Sequence, residues 1–303
     1  MTMPHNNTRD FIGYGKNPPN PHWPNNARLA LNIILNYEEG AEASVPDGDD
    51  FTEIGLTEVS STNIQGRDLA AESMFEYGSR VGVWRLLRIL QERDVPATVF
   101  ACARALERNP QVCAEFVNAG YDFCSHGLRW TNIQQLSQEQ EAAKIKQAVD
   151  LIKQMTGTAP QGWYCRYAPS VHTRQLLVEH GGFLYDSDSY ADELPYWVQV
   201  DGQPHLVIPY TQVHNDNKFV RSGIATANDF FEFLRDSFDL LYEEGRTQPK
   251  MMSVGLHMRL MGHPGRALAL IKFLDYVLEH ESVWICRRAD IAKHWRQKHL
   301  PST

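Results

Sequence analysis

Short apolar runs alternate along this chain with segments in which apolar residues recur every three or four positions. The first run, RLALNIILNY at 28–37, is long enough for a buried strand and ends at a pair of glutamates. The clearest helical segment begins at the capping pair Ser137 and Gln140 and continues to Gly157. The same criteria predict strands at 97–101, 121–125, 162–165, 183–186, 206–209, 251–257 and 283–286, and helices at 82–94, 109–119, 173–180, 228–244 and 264–280.

A strand followed by a helix, repeated about seven times, is typical of a parallel sheet covered by helices. No GxGxxG motif follows the first strand, which argues against a dinucleotide-binding sheet and favours a closed α/β barrel. No linker interrupts the pattern, so we expect one domain over residues 1–303. Within it we expect an irregular lead-in over the Pro- and Asn-rich residues 1–27, and a long polar loop over residues 41–70.

Composition and charge narrow the kinds of partner. Hydrophobic residues make up 43% and charged residues 22% of the chain, as in globular proteins. A net charge of -8 argues against nucleic acid, whose binding depends on neutralised phosphates. The start, MTMPHNNTRD, lacks the features of a signal peptide, and no apolar run approaches roughly 20 residues, so we expect no membrane partner and a cytoplasmic location. The five cysteines are widely spaced, which predicts reduced thiols in the core.

Glutamate and histidine side chains lie at the ends of three predicted strands. Glu38 and Glu39 end the first strand, while His126 and His257 end two later ones, the latter with Arg259 close behind. Strand ends meet at one mouth of an α/β barrel, so the two glutamates and two histidines are candidate catalytic groups. A half-buried carboxylate with a raised pKa suits a base that activates water, and histidine exchanges protons near neutral pH. Solvated loop glutamates and core histidines are the alternative interpretations.

Further polar and aromatic side chains near the predicted strand ends could bind a substrate. Arg129 and Arg166 could hold a carboxylate or imide oxygen, or they could pair with Asp186 or Asp188. Tryptophans could wall a flat ligand, although buried tryptophans are more often core residues. The candidate substrate-binding residues are Arg129, Trp130, Trp163, Arg166, Asp188, Tyr190 and Trp197.

Several segments resemble one known family. They are NYEEG (36–40), MFEYGSRVGVWRL (74–86), SHGLRW (125–130), GGFLYDSDSYADELPYW (181–197), HLVIPYT (205–211) and KMMSVGLHMRL (250–260). Together with GYGKNPPNPHWP (13–24), they are similar to the allantoinases of the polysaccharide deacetylase superfamily over nearly the whole chain. The resemblance implies a distorted (β/α)7 barrel, hydrolysis of an amide carbon–nitrogen bond, opening of allantoin to allantoate, and a homo-oligomer, often a tetramer.

The resemblance also bears on metal binding. In polysaccharide deacetylases an acidic pair supplies a base and a metal ligand, and two histidines four residues apart bind the metal; these positions are Glu38, Glu39, His126 and Trp130 here. Zinc in hydrolases generally has three protein ligands plus water, and an indole cannot replace a histidine. The resemblance therefore favours a reaction without a metal or other cofactor, as in the allantoinase branch. The alternative is a rebuilt site in which Glu39, His126 and His257 bind zinc or another divalent metal.

One loop departs from the family pattern and leaves the substrate open. In GWYCRYAPSVHTRQLL (162–177), Cys165, Arg166, Tyr167 and an apparent one-residue insertion replace the usual arginine after a threonine and a glycine. We expect a small cyclic amide as substrate, with allantoin first. The alternatives are a cyclic imide or hydantoin, N-deacetylation of an amino sugar, and a barrel that binds a ligand without catalysis.

Overall fold

The sheet of this protein is built around one strand that is buried along its whole length. The computed structural model describes residues 9–59, 64 and 66–301. Strand β1 (Leu29–Tyr37) pairs in parallel with β2 (Ala97–Ala101) on one side and with β8 (Lys250–His257) on the other. Both faces of β1 are covered, which explains why its sequence is a nearly continuous apolar run.

The remaining strands and the helices alternate along the chain. The strands are β3 (Asp122–Ser125), β4 (Gly162–Trp163), β5 (Tyr185–Asp186), β6 (Tyr196–Val200), β7 (Gln203–Val207) and β9 (Val283–Ile285). The helices are α1 (Leu69–Tyr77), α2 (Val83–Gln91), α3 (Ala103–Arg108), α4 (Pro110–Asn118), α5 (Gln138–Thr156), α6 (Thr173–His180), α7 (Lys218–Arg221), α8 (Ala227–Glu244), α9 (Met258–Met261), α10 (Pro264–Leu278) and α11 (Arg288–Lys298).

Seven parallel strands lie side by side in the order β7, β5, β4, β3, β2, β1, β8. Strand β6 pairs antiparallel with β7, and β9 pairs with β1 beside the main path. The sheet curls into an incomplete barrel covered by helices, which confirms the predicted distorted (β/α)7 barrel. Tyr37 is level with Ala101, Ala101 with Ser125, and Asn36 with His257, so the carboxyl ends of β1, β2, β3 and β8 share one edge.

The side chain of Arg288 links the two open edges of the barrel. It is fully buried, and its Nη1 donates to Oδ1 of Asn32 on β1 (2.8 Å) and to Oγ of Ser253 on β8 (2.9 Å). Its Nη2 donates to the carbonyl oxygens of Ile208 (2.6 Å) and Pro209 (2.8 Å), directly after β7. In the described residues no strand pairing joins β7 to β8, so this guanidinium supplies part of the closure.

A second link between these edges lies nearer the strand ends. The backbone N–H of Gly255 on β8 donates to the carbonyl oxygen of His214 (2.9 Å), and the N–H of Asp216 donates to the carbonyl oxygen of Gly255 (3.0 Å). Residues 214–216 therefore lie against β8 and complete the barrel wall on the side where His257 ends the strand.

A π-helical turn, Gly78–Gly82, joins α1 to α2 and packs on the residues that follow β1 and β8. A Cβ at Gly82 would lie 2.1 Å from the carbonyl oxygen of Met258, and a Cβ at Gly78 would lie 2.6 Å from Oε1 of Glu39. Only glycine permits this approach, so the turn holds α9 and Glu39 in place.

The predicted helices and strands are confirmed with small shifts, and the capping box of Ser137 and Gln140 begins α5 as expected. The predicted strand at 206–209 is found as β7 (Gln203–Val207), which also pairs with the unpredicted β6 across a turn at Asp201 (φ +49°) and Gly202 (φ +76°). The prediction also lacked α1, α3, β6, α7, α9 and α11. Helix α3 has only six residues, too few for helical periodicity to show in the sequence.

The lead-in and the long loop are partly described. Residues 1–8 of the lead-in, and residues 60–63 and 65 of the loop, lie outside the described part of the chain. Within the lead-in, Trp23 is buried and its indole N–H donates to the carbonyl oxygen of Lys250 (2.9 Å), so this segment packs on the barrel.

All five cysteines are buried free thiols, as predicted. Across the described residues, each helix is too short or too polar to cross a bilayer.

Candidate active site

The side chains that follow β1, β3 and β8 meet at one edge of the sheet. Oε1 of Glu38 lies 3.2 Å from Nε2 of His126 and 3.6 Å from Nε2 of His257. All three side chains are buried, with at most 5% of their surface exposed. The parallel register brings these strand ends together, so the convergence of Glu38 and both histidines predicted from the sequence is found in the fold.

Hydrogen bonds determine which nitrogen of each imidazole faces Glu38. Nδ1 of His126 lies 2.8 Å from the carbonyl oxygen of Tyr164, and a carbonyl can only accept, so this Nδ1 carries a hydrogen. The contact between Nε2 of His126 and the carboxylate of Glu38 then needs a proton between them. Nδ1 of His257 lies 2.6 Å from Oδ1 of Asp216, which leaves Nε2 of His257 directed at Glu38 as well.

Asp216 orients His257 from behind the site. Its Oδ2 accepts hydrogen bonds from the backbone N–H groups of His257 (2.7 Å) and Met261 (3.2 Å), so the carboxylate is fixed at the start of α9. Burial lowers the pKa of His257, but the carboxylates of Asp216 and Glu38 outweigh burial and hold this pKa above its ordinary value. His257 therefore keeps its proton at pH values where an exposed histidine has lost it.

Arg259 places a buried cation beside both glutamates. Its Nη2 donates to Oε2 of Glu38 (2.8 Å), its Nη1 to Oε1 of Glu39 (3.2 Å) and its Nε to the carbonyl oxygen of Leu56 (3.0 Å). The guanidinium also lies over the ring of Phe75, 4.4 Å from its centre. Every nitrogen of this side chain therefore has a partner, and the cation is held rigidly.

The two glutamates respond differently to this cation. Burial raises the pKa of Glu38, but the charges of Arg259, His257 and His126 outweigh burial and bring it to about 2. Burial raises the pKa of Glu39, and there the cation of Arg259 does not outweigh burial and the neighbouring carboxylate of Glu38. The expectation of a raised pKa is therefore wrong for Glu38, because the guanidinium of Arg259 and the imidazoles of His257 and His126 face it.

A cavity of about 430 Å³ opens above Glu38, His126 and His257. This volume is in the range of small-molecule sites, roughly 300–1,000 Å³. Aromatic rings and side-chain amides make most of its wall, with Lys218 and Arg221 at one side. The aromatic and amide groups are Trp130, Tyr164, Tyr167, Tyr190, Tyr210, Asn36, Gln212, Asn215 and Asn217.

Sequence comparison relates this barrel to known proteins. A family model described as Polysaccharide deacetylase matches residues 66–181. A Schizosaccharomyces pombe protein named "Putative polysaccharide deacetylase" is 39% identical over 315 residues, which cover 96% of this chain and 98% of that protein. The chain belongs to the polysaccharide deacetylase family. Its membership supports a deacetylase-type hydrolase.

Other relatives carry more specific names. A solved structure described as Puue allantoinase is 47% identical, covers 100% of both chains and superposes with a TM-score of 0.93. The peptidoglycan deacetylase of Helicobacter pylori is 26% identical over 244 residues, which cover 69% of this chain and 82% of that protein. The family therefore includes proteins named for two kinds of amide substrate.

The side chains at this edge of the sheet do not fit a metal site. Across residues 9–59, 64 and 66–301, no three His, Cys, Asp or Glu side chains are grouped so that they could hold a metal ion. The indole of Trp130 offers no ligand, and Arg259 already places a positive charge beside Glu39. The alternative ligand set of Glu39, His126 and His257 is not assembled, because both imidazoles face Glu38 and not Glu39.

Three predicted substrate-binding residues line the cavity of about 430 Å³: Trp130, Arg166 and Tyr190. The guanidinium of Arg166 lies between the rings of Trp130 (3.9 Å) and Tyr167 (4.3 Å) and forms a buried ion pair with Glu53. The alternative that Arg166 pairs with Asp186 or Asp188 is therefore wrong. Glu53 neutralises the charge of Arg166. The ion pair connects the long loop at 41–70 with the divergent loop at 162–177.

The other four candidates lie away from this cavity. Arg129 donates from Nη1 to Oδ1 of Asp49 (3.1 Å), not to Asp186 or Asp188, and lines a smaller adjoining cavity together with Trp163. Asp188 accepts a hydrogen bond from the backbone N–H of Cys165 (2.8 Å) and so supports the divergent loop. These placements correct the prediction that all seven residues face one mouth.

Trp197 is the clearest of these corrections. Its indole N–H donates to the carbonyl oxygen of His299 (2.7 Å), near the end of the chain. Trp197 lies on β6, which runs antiparallel to the rest of the sheet, so the rule for parallel strand ends does not apply to it.

The hydrogen-bond partners of the catalytic candidates do not follow from the sequence pattern. Arg259 follows a predicted strand, but the pattern assigns it no role, and Asp216 is not among the predicted site residues. The only available signal was the polar cluster HNDN at 214–217, between a predicted strand and a predicted helix. Asp216 reaches His257 through a long-range contact across the barrel seam, which periodicity cannot show.

Proposed function

We propose that the protein hydrolyses a small cyclic amide and opens its ring, with allantoin as the first candidate and allantoate as the product. The observation that carries the proposal is the carboxylate of Glu38 between the imidazoles of His126 and His257, facing a cavity of about 430 Å³. Similarity over the whole length to a structure named as an allantoinase supports the choice of allantoin.

In the proposed reaction, Glu38 holds the attacking water. Its pKa of about 2 keeps the carboxylate ionised at neutral pH, so it accepts a hydrogen bond from water. Such a carboxylate is too weak a base to ionise free water. The proton instead moves to Glu38 as the carbon–oxygen bond forms, because the attacking oxygen becomes acidic during that step. The ring carbonyl becomes a tetrahedral carbon that bears an oxyanion.

His257 is the proposed acid for the departing nitrogen. As the carbon–nitrogen bond breaks, Nε2 of His257 gives its proton to the ring nitrogen, while Asp216 keeps hold of the Nδ1 hydrogen. The product acid then releases its own proton to solvent. Transfer of the proton on Glu38 to Nε2 of His257, 3.6 Å away, restores both groups for the next turnover.

We further propose that this chemistry needs no metal. Arg259 supplies a fixed positive charge beside both glutamates, and Trp130 stands where the family pattern has a histidine ligand. A homotetramer and a cytoplasmic location, both suggested by the sequence, remain predictions.

N-deacetylation of an amino sugar is the second candidate. It is supported by the Helicobacter pylori relative, which is named a peptidoglycan deacetylase. In both reactions water attacks an amide carbonyl carbon, so Glu38, His126 and His257 would serve either one. The substrates differ in whether the product is one opened ring or free acetate.

A substrate panel separates the candidates. The purified protein, before and after dialysis against a chelator, is incubated with allantoin, hydantoin, succinimide and a chito-oligomer. We expect ring opening of allantoin in both preparations and no acetate release. Acetate release without ring opening would favour deacetylation, activity lost on chelation and restored by zinc would contradict the metal-free proposal, and tight binding without turnover would support a non-catalytic barrel.

A further inference from the structure

The hydroxyl of Tyr210 lies beneath the catalytic candidates, on the seam that closes the barrel. It accepts a hydrogen bond from Nδ2 of Asn36 (3.0 Å) and another from Nδ2 of Asn215 (3.2 Å). Asn36 is level with His257 in the sheet, and Asn215 bridges to Gly255, two residues before His257. The same cavity is lined by Tyr210 and by Glu38, His126 and His257, but not by Glu39.

The orientation of both amides is fixed by backbone groups. Nδ2 of Asn36 also donates to the carbonyl oxygen of Leu256 (3.2 Å), so this end of the amide must be the NH₂ group. Oδ1 of Asn215 accepts from the backbone N–H of Asn217 (3.0 Å), so its other end must be the NH₂ group. The hydroxyl oxygen of Tyr210 therefore receives two N–H donors.

This leaves the hydrogen of the Tyr210 hydroxyl without a partner among the described residues. A phenol that accepts two hydrogen bonds still has one hydrogen to donate, and no acceptor for it lies in the described part of the chain. Burial raises the pKa of Tyr210 above its ordinary value, so the hydroxyl keeps this hydrogen. Hydrogen bonds received by the oxygen polarise the O–H group and make it a stronger donor.

The ring of Tyr210 is held rigidly in this position. Its centre lies 5.0 Å from that of Phe100, 4.9 Å from that of Tyr164, and 5.8 Å from the guanidinium carbon of Arg288. A Cβ on Gly255 would lie 2.1 Å from the hydroxyl oxygen, so glycine there makes room for it. A donor fixed before the substrate arrives needs no rearrangement when charge develops.

We propose that the Tyr210 hydroxyl donates its hydrogen bond to the carbonyl oxygen of the bound amide and then to the oxyanion that forms when water attacks. This inference rests on the proposed ring hydrolysis and adds one catalytic residue to it. The proton stays on the phenol throughout, and only the strength of the hydrogen bond changes. Gly255 and His257 are two residues apart on β8, so they lie on the same face of this strand. The hydroxyl of Tyr210 packs against Gly255 and is therefore on the same face as His257, the proposed acid.

The test compares Tyr210→Phe with Tyr185→Phe as a matched control. Tyr185 is a fully buried tyrosine of the same core cluster, its hydroxyl lies beside the thiol of Cys124 and not at the catalytic edge, and it does not line the cavity. Loss of one oxyanion donor commonly lowers kcat about 100- to 1,000-fold, so we expect such a loss in kcat for Tyr210→Phe, with KM raised by no more than about tenfold. A kcat for Tyr210→Phe close to that of Tyr185→Phe would overturn the inference.

Binding distinguishes failure of this inference from failure of the proposed function. If the wild-type protein opens no ring, the proposed function fails, and calorimetric binding of allantoin then decides the role of Tyr210. Binding weakened roughly three- to tenfold in Tyr210→Phe, but not in Tyr185→Phe, would support the hydrogen bond to the carbonyl. Equal binding by the two variants would overturn it. Thermal unfolding of both variants verifies that each is folded.

Discussion

Arg259 and Glu38 form a fully buried ion pair at the catalytic edge of the barrel, with Nη2 of Arg259 2.8 Å from Oε2 of Glu38. The same guanidinium contacts Glu39 at 3.2 Å. Glu38 also faces the imidazoles of His126 and His257, whereas Glu39 contacts Arg259 but neither imidazole. That difference explains why the pKa values of these adjacent carboxyl groups shift in opposite directions.

Replacing Arg259 tests this ion pair. Arg259→Met leaves two buried carboxylates without their cation, and such a change typically costs about 3–5 kcal/mol of unfolding free energy. Urea denaturation at pH 7 measures the loss. The control is Arg80→Met, which removes an exposed pair with Glu76 and should cost about 0.5 kcal/mol or less. Equal stability of the two variants would mean that Arg259 does not compensate the carboxylates.

Asp216→Asn tests the orientation and charge of His257. Burial lowers the pKa of His257 and the charge of Asp216 raises it, so removing that charge should lower this pKa. The acid form of His257 would then be lost at lower pH, and the basic limb of the kcat/KM profile for allantoin should move to lower pH. A basic limb that stays in place would show that another group is the acid.

The dependence of stability on pH tests the charge state of Glu38. Its folded pKa of about 2 lies below its ordinary value of 4.5, so its stabilising contribution is present above about pH 4.5 and is lost as pH falls towards 2. Glu38→Gln should therefore flatten the loss of unfolding free energy between pH 6 and pH 3, measured by urea denaturation. The control, Glu232→Gln on an exposed position of α8, should retain the wild-type slope.

Glu38→Gln also tests the proposed base. An amide cannot take the proton of the attacking water, and loss of such a group commonly lowers turnover about 100- to 10,000-fold. Initial rates of allantoin opening by Glu38→Gln and Glu232→Gln measure the effect at matched protein concentrations. Near-normal turnover in Glu38→Gln would remove Glu38 from the mechanism.

Arg288→Met tests the closure of the barrel. The change removes the Arg288 donor from the carbonyl oxygens of Ile208 and Pro209 and from the hydroxyl of Ser187, and each buried unsatisfied group commonly costs about 1–3 kcal/mol. We expect a loss of about 3 kcal/mol or more in urea denaturation, with a smaller loss for Arg288→Lys. Arg296→Met, on the exposed part of α11, is the control. A wild-type denaturation midpoint for Arg288→Met would contradict this role.

Most of the fold follows from the sequence because buried parallel strands and amphipathic helices leave periodic patterns. Strand β1 and helix α5 are the best examples, one an unbroken apolar run and the other a capped helical stripe. The β6–β7 hairpin was missed although its Asp201–Gly202 turn is a strong hairpin signal. Its flanking strands are short and half exposed, so their hydrophobic pattern is weak.

The candidate site could be predicted only at the strand ends. Glu38, His126 and His257 directly follow or end parallel strands, and the barrel rule brings such residues together. Asp216 and Tyr210 reach the site from the seam between β7 and β8, where no strand ladder sets the register. Their positions depend on long-range hydrogen bonds, which leave no periodic trace in the sequence.

The closure of the barrel by side chains and a short bridge also bears on how the protein could be engineered. Substitutions at Gln212 and Asn217, which line the cavity beside Tyr210 and Asp216, would reshape one wall while leaving the ladders of the seven parallel strands intact. Directed evolution towards substrates with bulkier rings should therefore accumulate changes along this seam. Arg288 should be retained, because its hydrogen bonds hold the two edges of the barrel together while the seam residues change.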